Sequence, residues 1–377
     1  MHNSTNWIIA VVALLAIGGQ ALSAAPTKEA PKPKTTVHRE GDRVWLEGVK
    51  LGGFGDQDSS VHAAQAAAMQ ALGYSVSYDY LLGVSGLAFR IQVSKDGLCP
   101  SSPHSACGYQ CIDRAVEALP CERKGYGAKA EETEKVKGIR QAVMASIERG
   151  VPVQYGSEED GLIVGYQKNG DEWICLHPMR DGAKKTFIET TWPWGVTVYT
   201  SPKGIEPARR DLIVASLQQA VKMANLPEVK MANSPEIGGY FLGFNAWDRY
   251  IEKLEALDTA DEKTLKDAMT GNAWIYECLG LYRLSAVRYL RSVAKEFGAP
   301  AAKHLKKAAD LYEQMATKVL TDEKHSLMSV APYPWSKEVK EWTAEMRHGQ
   351  IRRLRKALPL ERRAIEEIKS ALAAMKG

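Results

Sequence analysis

The sequence has little net charge to offer a partner. Its 49 Lys and Arg against 45 Asp and Glu leave +4 at pH 7 over 377 residues, too little to call for nucleic acid or an acidic polymer. Its N-terminus also lacks a membrane-spanning run. The apolar stretch from Trp7 to Ile17, within MHNSTNWIIAVVALLAIGGQALSAAP, falls short of the ~20 residues that such a helix needs. No cysteine follows it to carry a lipid, and no Lys or Arg precedes it, which departs from the usual secretory pattern. The small residues Ala21 to Ala25 still fit cleavage near Ser23 or Ala24. Residues 1–24 therefore read as a signal peptide and the protein as exported, periplasmic or extracellular, with no stable membrane span after cleavage; an uncleaved N-terminal anchor is the alternative.

Paired C-x2-C knuckles are also missing, which counts against a structural zinc site built with His104. Export favours the other reading of Cys99, Cys107, Cys111 and Cys121: one or two local disulfides stapling a loop with little apolar content. Four cysteines allow three pairings, and all three stay open. Cys175 and Cys278 sit in apolar strand and helix patterns and read as buried thiols, with a bond between them as the alternative. No motif calls for a metal or a cofactor.

Strand signals fade after Glu206, and this divides the chain. Residues 25–39 are a Pro/Lys-rich linker. From 40 to 203, helix patterns at 60–72, 111–119 and 131–149 mix with strand patterns at 43–49, 88–93, 150–156, 161–167, 172–178 and 195–201. That combination predicts α+β, helices packed on an antiparallel sheet, with KNGD at 168–171 as a hairpin turn. From 204 to 377 apolar residues recur at three- and four-residue intervals, an all-helical domain. Within it KMANLPEV (222–229) and KMANSPEI (230–237) repeat in tandem, and their prolines break any single helix, so the copy reads as a linker duplication.

The segment SSVHAAQAAAMQALGYSVSYDYLLGVSGLAFRIQV, followed by GVPVQYGSEEDGLIVGYQKNGDEWICLHP, resembles the papain-like cysteine-peptidase superfamily. It is most similar to the N-terminal domain of the butirosin-biosynthesis protein H family and to bacteriocin-leader-cleaving peptidases. The resemblance covers residues 55–200 and implies a papain-like fold with a nucleophilic cysteine at the start of the first helix. Ser60 stands there instead. The family's base histidine maps to the stretch holding Glu158, Glu159 and Asp160, and its orienting Asp or Asn maps to His177. A rearranged site with Ser60 as nucleophile, His177 as base and Gln57 as oxyanion donor is one expectation. A degenerate site that binds a peptide, amide or acyl-type ligand is the favoured one, with Glu158, Glu159, Asp160, Trp192 and Trp194 as candidate contacts. A third is a scaffold whose helices carry the interaction. His62, two residues from Ser60, points to another helix face and reads as packing or facing solvent; Arg90 reads as packing rather than as a pocket wall. The oligomeric state is not readable.

Overall fold

The computed structural model describes residues 31–193, 195–204, 207–230 and 239–376. The signal segment 1–24, Trp194 and nearly all of the second KMANSPEI copy lie outside them.

The fold is mixed, with antiparallel sheets and a helical C-terminal region. Its strands are β1 (Thr36–Glu40), β2 (Arg43–Glu47), β3 (Gln92–Ser94), β4 (Cys121–Tyr126), β5 (Val153–Gly156), β6 (Asp160–Gln167), β7 (Glu172–Leu176), β8 (Phe187–Glu189), β9 (Gly195–Pro202), β10 (Glu228–Val229) and β11 (Tyr240–Leu242). Its helices are α1 (Ser60–Ala71), α2 (Tyr78–Val84), α3 (Asp113–Glu117), α4 (Thr133–Glu148), α5 (Arg209–Asn225), α6 (Gly243–Ala256), α7 (Glu262–Val293), α8 (Ala299–Gln314), α9 (Leu327–Val330) and α10 (Ala344–Ala374).

The main sheet runs β1-β2-β6-β5-β9-β4. One edge of β6 pairs with β5 along its first half and with β2 along its second, while the other edge takes β7, which carries β8. Alternation along the strands gives the sheet two apolar faces. Ile163, Cys175, Val196 and Val198 pack with Ile139, Val143 and Ile147 of α4. Leu162, Val164, Ile174 and Leu176 face α1 on the other side. The Lys168–Gly170 turn has positive φ at all three residues, as the Asn-Gly signal implies.

Helix α1 is rich in alanine because it is enclosed. Ala63, Ala64, Ala66, Ala67 and Ala68 are all buried, so the helix lies close to β6 and α2 without bulky side chains between them. It ends at Gly73, φ +91°, where the Tyr74 N–H reaches the Met69 carbonyl in a 6→1 cap. The core on this face continues without a break into α5, α6, α7, α8 and α10. Arg283 of α7, fully buried, joins them: its guanidinium pairs with Glu361 of α10 at 2.8 Å and donates to the Ala88 carbonyl at 2.9 Å.

Several features depart from the sequence reading or from local preference. Residues 36–39, read as part of the linker, belong to β1 with Glu40, because pairing with β2 supplies what their own pattern lacks. The polar CERKGY stretch, 121–126, forms β4 against β9. Two short strands, β10 and β11, lie beyond residue 206; β10 pairs with β11 and β11 with β3, and both are too short to leave a period of their own. Finally, α10 runs through Pro359 as one helix, although a proline inside a helix removes a backbone hydrogen bond.

Candidate functional site

Ser60 opens α1, and the β5–β6 turn, 157–160, stands opposite it. Ser60 Oγ donates to Glu159 Oε2 at 2.5 Å and accepts from the Asp160 backbone N–H at 3.0 Å. Its hydroxyl is thus engaged in both directions, and the residue is 1% exposed. The turn is held from behind by the Glu159 carbonyl, which accepts from the Ser157 N–H at 3.2 Å, from Ser157 Oγ at 2.8 Å and from His177 Nε2 at 3.1 Å.

That last contact fixes the role of His177. The Met179 N–H donates to its Nδ1 at 3.3 Å, so Nε2 carries the proton and points at the turn, towards the Glu159 carbonyl and Ser157 Oγ. Burial lowers its pKa, keeping the ring neutral. His177 therefore braces Glu159, and the group that takes the hydrogen bond of Ser60 is Glu159 itself. The Gln57 side chain lies against the backbone of Gly52. Glu158 is exposed on the turn. Asp160 turns to Gln154, whose Oε1 accepts from Tyr199.

The carboxyls gathered here are held near neutrality. Burial pushes Glu159 up to about 7 against the pull of the Ser60 hydrogen bond. Burial, helped by the charge of Glu277, pushes Asp58 up to about 7, and burial pushes Asp160 up to about 6. The cavity lined by Asp58, Ser59, Ser60, His104, Ser105, Glu159, Trp274 and Tyr282 measures about 10 Å3, room for roughly one water. Trp274 meets Phe54 edge-on at 4.9 Å between ring centroids, which closes that side.

A second serine–histidine pair escaped the sequence reading. Ser59 Oγ lies 2.7 Å from His62 Nδ1, and His62 Nε2 lies 3.2 Å from the Cys111 carbonyl. A carbonyl only accepts, so Nε2 carries the proton and Nδ1 accepts from Ser59. The i, i+3 spacing on one helix face was the available signal; attention to Ser60 hid it. Magnitude decides its role. Burial pushes His62 down to about 3, so charging the ring at neutral pH would cost on the order of 5 kcal/mol. The pair is a structural bond that ties α1 to the 105–111 loop.

Trp192 lines a different cavity from the one beside Ser60. Its indole N–H donates to the Ala128 carbonyl at 2.9 Å, and the ring walls a 100 Å3 cavity with Tyr155, Ser157, Cys175 and Glu189. Trp194 is outside the described residues. All six cysteines are free thiols in the structure, so the expected staple among Cys99, Cys107, Cys111 and Cys121 is not formed there. The loop is shaped by Arg90 instead. Its buried guanidinium donates to the carbonyls of Pro103 and His104 at 2.7 Å, Tyr109 at 2.6 Å and Cys107 at 3.1 Å. Among the described residues no group of three or more His, Cys, Asp and Glu side chains is placed to hold a metal ion, and no helix is long and apolar enough to cross a membrane. The chain matches no protein-family model and no curated protein.

Proposed function

We propose that this is an exported protein with a papain-like domain whose nucleophile position has been turned over to binding, and that it holds a peptide, amide or acyl-type ligand without cleaving it. The observation that carries this reading is the bonding of Ser60: its hydroxyl is engaged by Glu159 and by the Asp160 N–H, while His177 is turned to the back of the same turn. A helix start laid against an antiparallel sheet, with a turn from that sheet facing it, is the arrangement that the resemblance implies. The space beside Ser60 admits a group about the size of a water. A carbonyl oxygen or amide nitrogen of the ligand fits that limit, with the rest lying over the Phe54–Trp274 edge.

A second reading has a specific observation behind it. Glu159, near pKa 7 and 2.5 Å from Ser60 Oγ, has the proton affinity and reach of a general base, so a serine hydrolase using Ser60 and Glu159 is the rival. The two separate in one experiment: a panel of N-acyl peptide amides is titrated calorimetrically and the bound material recovered for mass spectrometry. Saturable binding with intact recovery is expected; recovered cleavage products, absent with Ser60→Ala, would establish the rival.

A further inference from the structure

Away from Ser60, a cavity of about 870 Å3 lies between the 94–107 loop, the end of α6 and the start of α7. Cys99 and Cys107, both half-buried, line it together with Ser101 and Tyr240. Cys99 Sγ is 3.0 Å from Ser101 Oγ, which is 3.0 Å from the Tyr240 hydroxyl. The Cys107 thiol, on the same wall, lies 3.8 Å from His104 Nδ1. Both sulfur-bearing residues and Tyr240 therefore line one cavity.

The backbone between them is folded back on itself. Successive turns join the Ser102 N–H to the Cys99 carbonyl at 3.0 Å, His104 to Ser101 at 3.1 Å and Cys107 to His104 at 3.1 Å. Both ends are anchored. At Gly271 of α7 a Cβ would lie 1.9 Å from the Leu98 carbonyl oxygen, so glycine there lets the Cys99 end approach the helix. At the other end the Cys107 carbonyl accepts from Arg90 at 3.1 Å and from Gln92 at 2.9 Å. The other two cysteines of the cluster are placed differently. Cys111 is 1% exposed beside Arg90, and Cys121 is 1% exposed with its sulfur 3.5 Å from that of Met69.

We propose that Cys99 and Cys107 form a thiol–disulfide pair in the wall of this cavity, and that Cys111 and Cys121 stay reduced. The oxidant is a small disulfide. One of the two thiols, as thiolate, attacks it, forming a mixed disulfide and expelling one thiolate. The second protein thiolate then attacks the protein-side sulfur, closing Cys99–Cys107 and expelling the other half. Each protein thiol gives up a proton, and the two protons go to the two expelled thiolates, so the small disulfide is reduced by the two electrons that the pair loses. The Arg90-anchored loop holds both sulfurs on one cavity, so the second step is intramolecular.

The test is to equilibrate the folded full chain with oxidised and reduced glutathione, quench with acid, alkylate under denaturing conditions and map the peptides by mass spectrometry. The expected result is a Cys99–Cys107 disulfide, two hydrogens lighter than the reduced peptides, with Cys111, Cys121, Cys175 and Cys278 alkylated. Cys99→Ser should leave Cys107 as a lasting glutathione adduct, at least 10-fold above its level in the unaltered protein. A bond to Cys111 or Cys121 would overturn the proposal. So would separate glutathione adducts on Cys99 and Cys107, or equal Cys107 adduct levels in the variant and the unaltered protein.

Discussion

At Ser60 the chemistry turns on the type of group at the helix start. A thiol at a helix start with an imidazole facing it ionises readily, but a hydroxyl facing a carboxylate does not, because its proton stays on oxygen unless a base near neutrality removes it as bonds form. Glu159 is held by burial at a pKa of about 7 instead of its usual 4.5, and this has a measurable consequence for stability. The folded protein keeps a proton on Glu159 that the unfolded chain has lost, so stability falls as pH rises from about 4.5 to about 7 and stays at the lower level above that. Glu159→Gln removes this linkage while keeping an acceptor for Ser60. Relative to the unaltered protein, the variant should gain on the order of 1–2 kcal/mol between pH 4.5 and pH 8, after allowing for partial solvent screening. Urea titrations at both pH values test this; a difference that does not change with pH refutes it. The residue types at this site were legible in the sequence: Ser60 at the helix start and acids at 158–160. Their partners were not, because which acid meets Ser60, and that His177 faces the back of the turn, depends on the rotation of a four-residue turn that no local pattern encodes.

Among elements, α1, α4 and the β5–β6–β7 meander could be read from the chain because each has a strong period or a turn residue at its end. The strands β1, β4, β10 and β11 could not, since each is short or polar and exists through its partner. The long α10 holds a proline, Pro359, in its interior, and packing of Leu354, Ala357, Leu360 and Ala364 in the core carries the helix through. Packing between α2 and α7 is set by one position. A Cβ on Gly83 of α2 would fall 2.0 Å from the Tyr289 ring of α7. Gly83→Ala should therefore destabilise the fold by about 1–3 kcal/mol through overpacking, although alanine favours helix. Pairing it with Tyr289→Leu should recover part of the loss, read as a denaturation midpoint; a stabilised single variant would show that the two helices are not in such close contact.

Across the whole molecule, the sequence suggested a boundary near residue 204, where strand patterns give way to helical ones. Apolar packing crosses that point: the buried set that includes Ala64, Leu82 and Phe89 also includes Leu217, Tyr276, Tyr289 and Ile365. The Arg283–Glu361 pair, with side chains 0% and 3% exposed, lies inside this shared core. Breaking a buried pair leaves a charge without its counter-ion, so Glu361→Leu should cost about 3–5 kcal/mol. Because the core is shared, the loss should appear as one shifted transition by both circular dichroism and tryptophan fluorescence. Two separated transitions would mean that the halves hold themselves independently.

The central claim is that Ser60 is a bound hydroxyl and not an activated nucleophile, and its reactivity can be read directly. The folded protein would be treated at pH 8 with an alkyl fluorophosphonate, which phosphonylates activated serines, and the modified peptide located by mass spectrometry. The account predicts no phosphonylation at Ser60 beyond that of the heat-unfolded control. Stoichiometric modification of Ser60, lost in Ser60→Ala and suppressed in Glu159→Gln, would contradict it and make the protein a serine hydrolase.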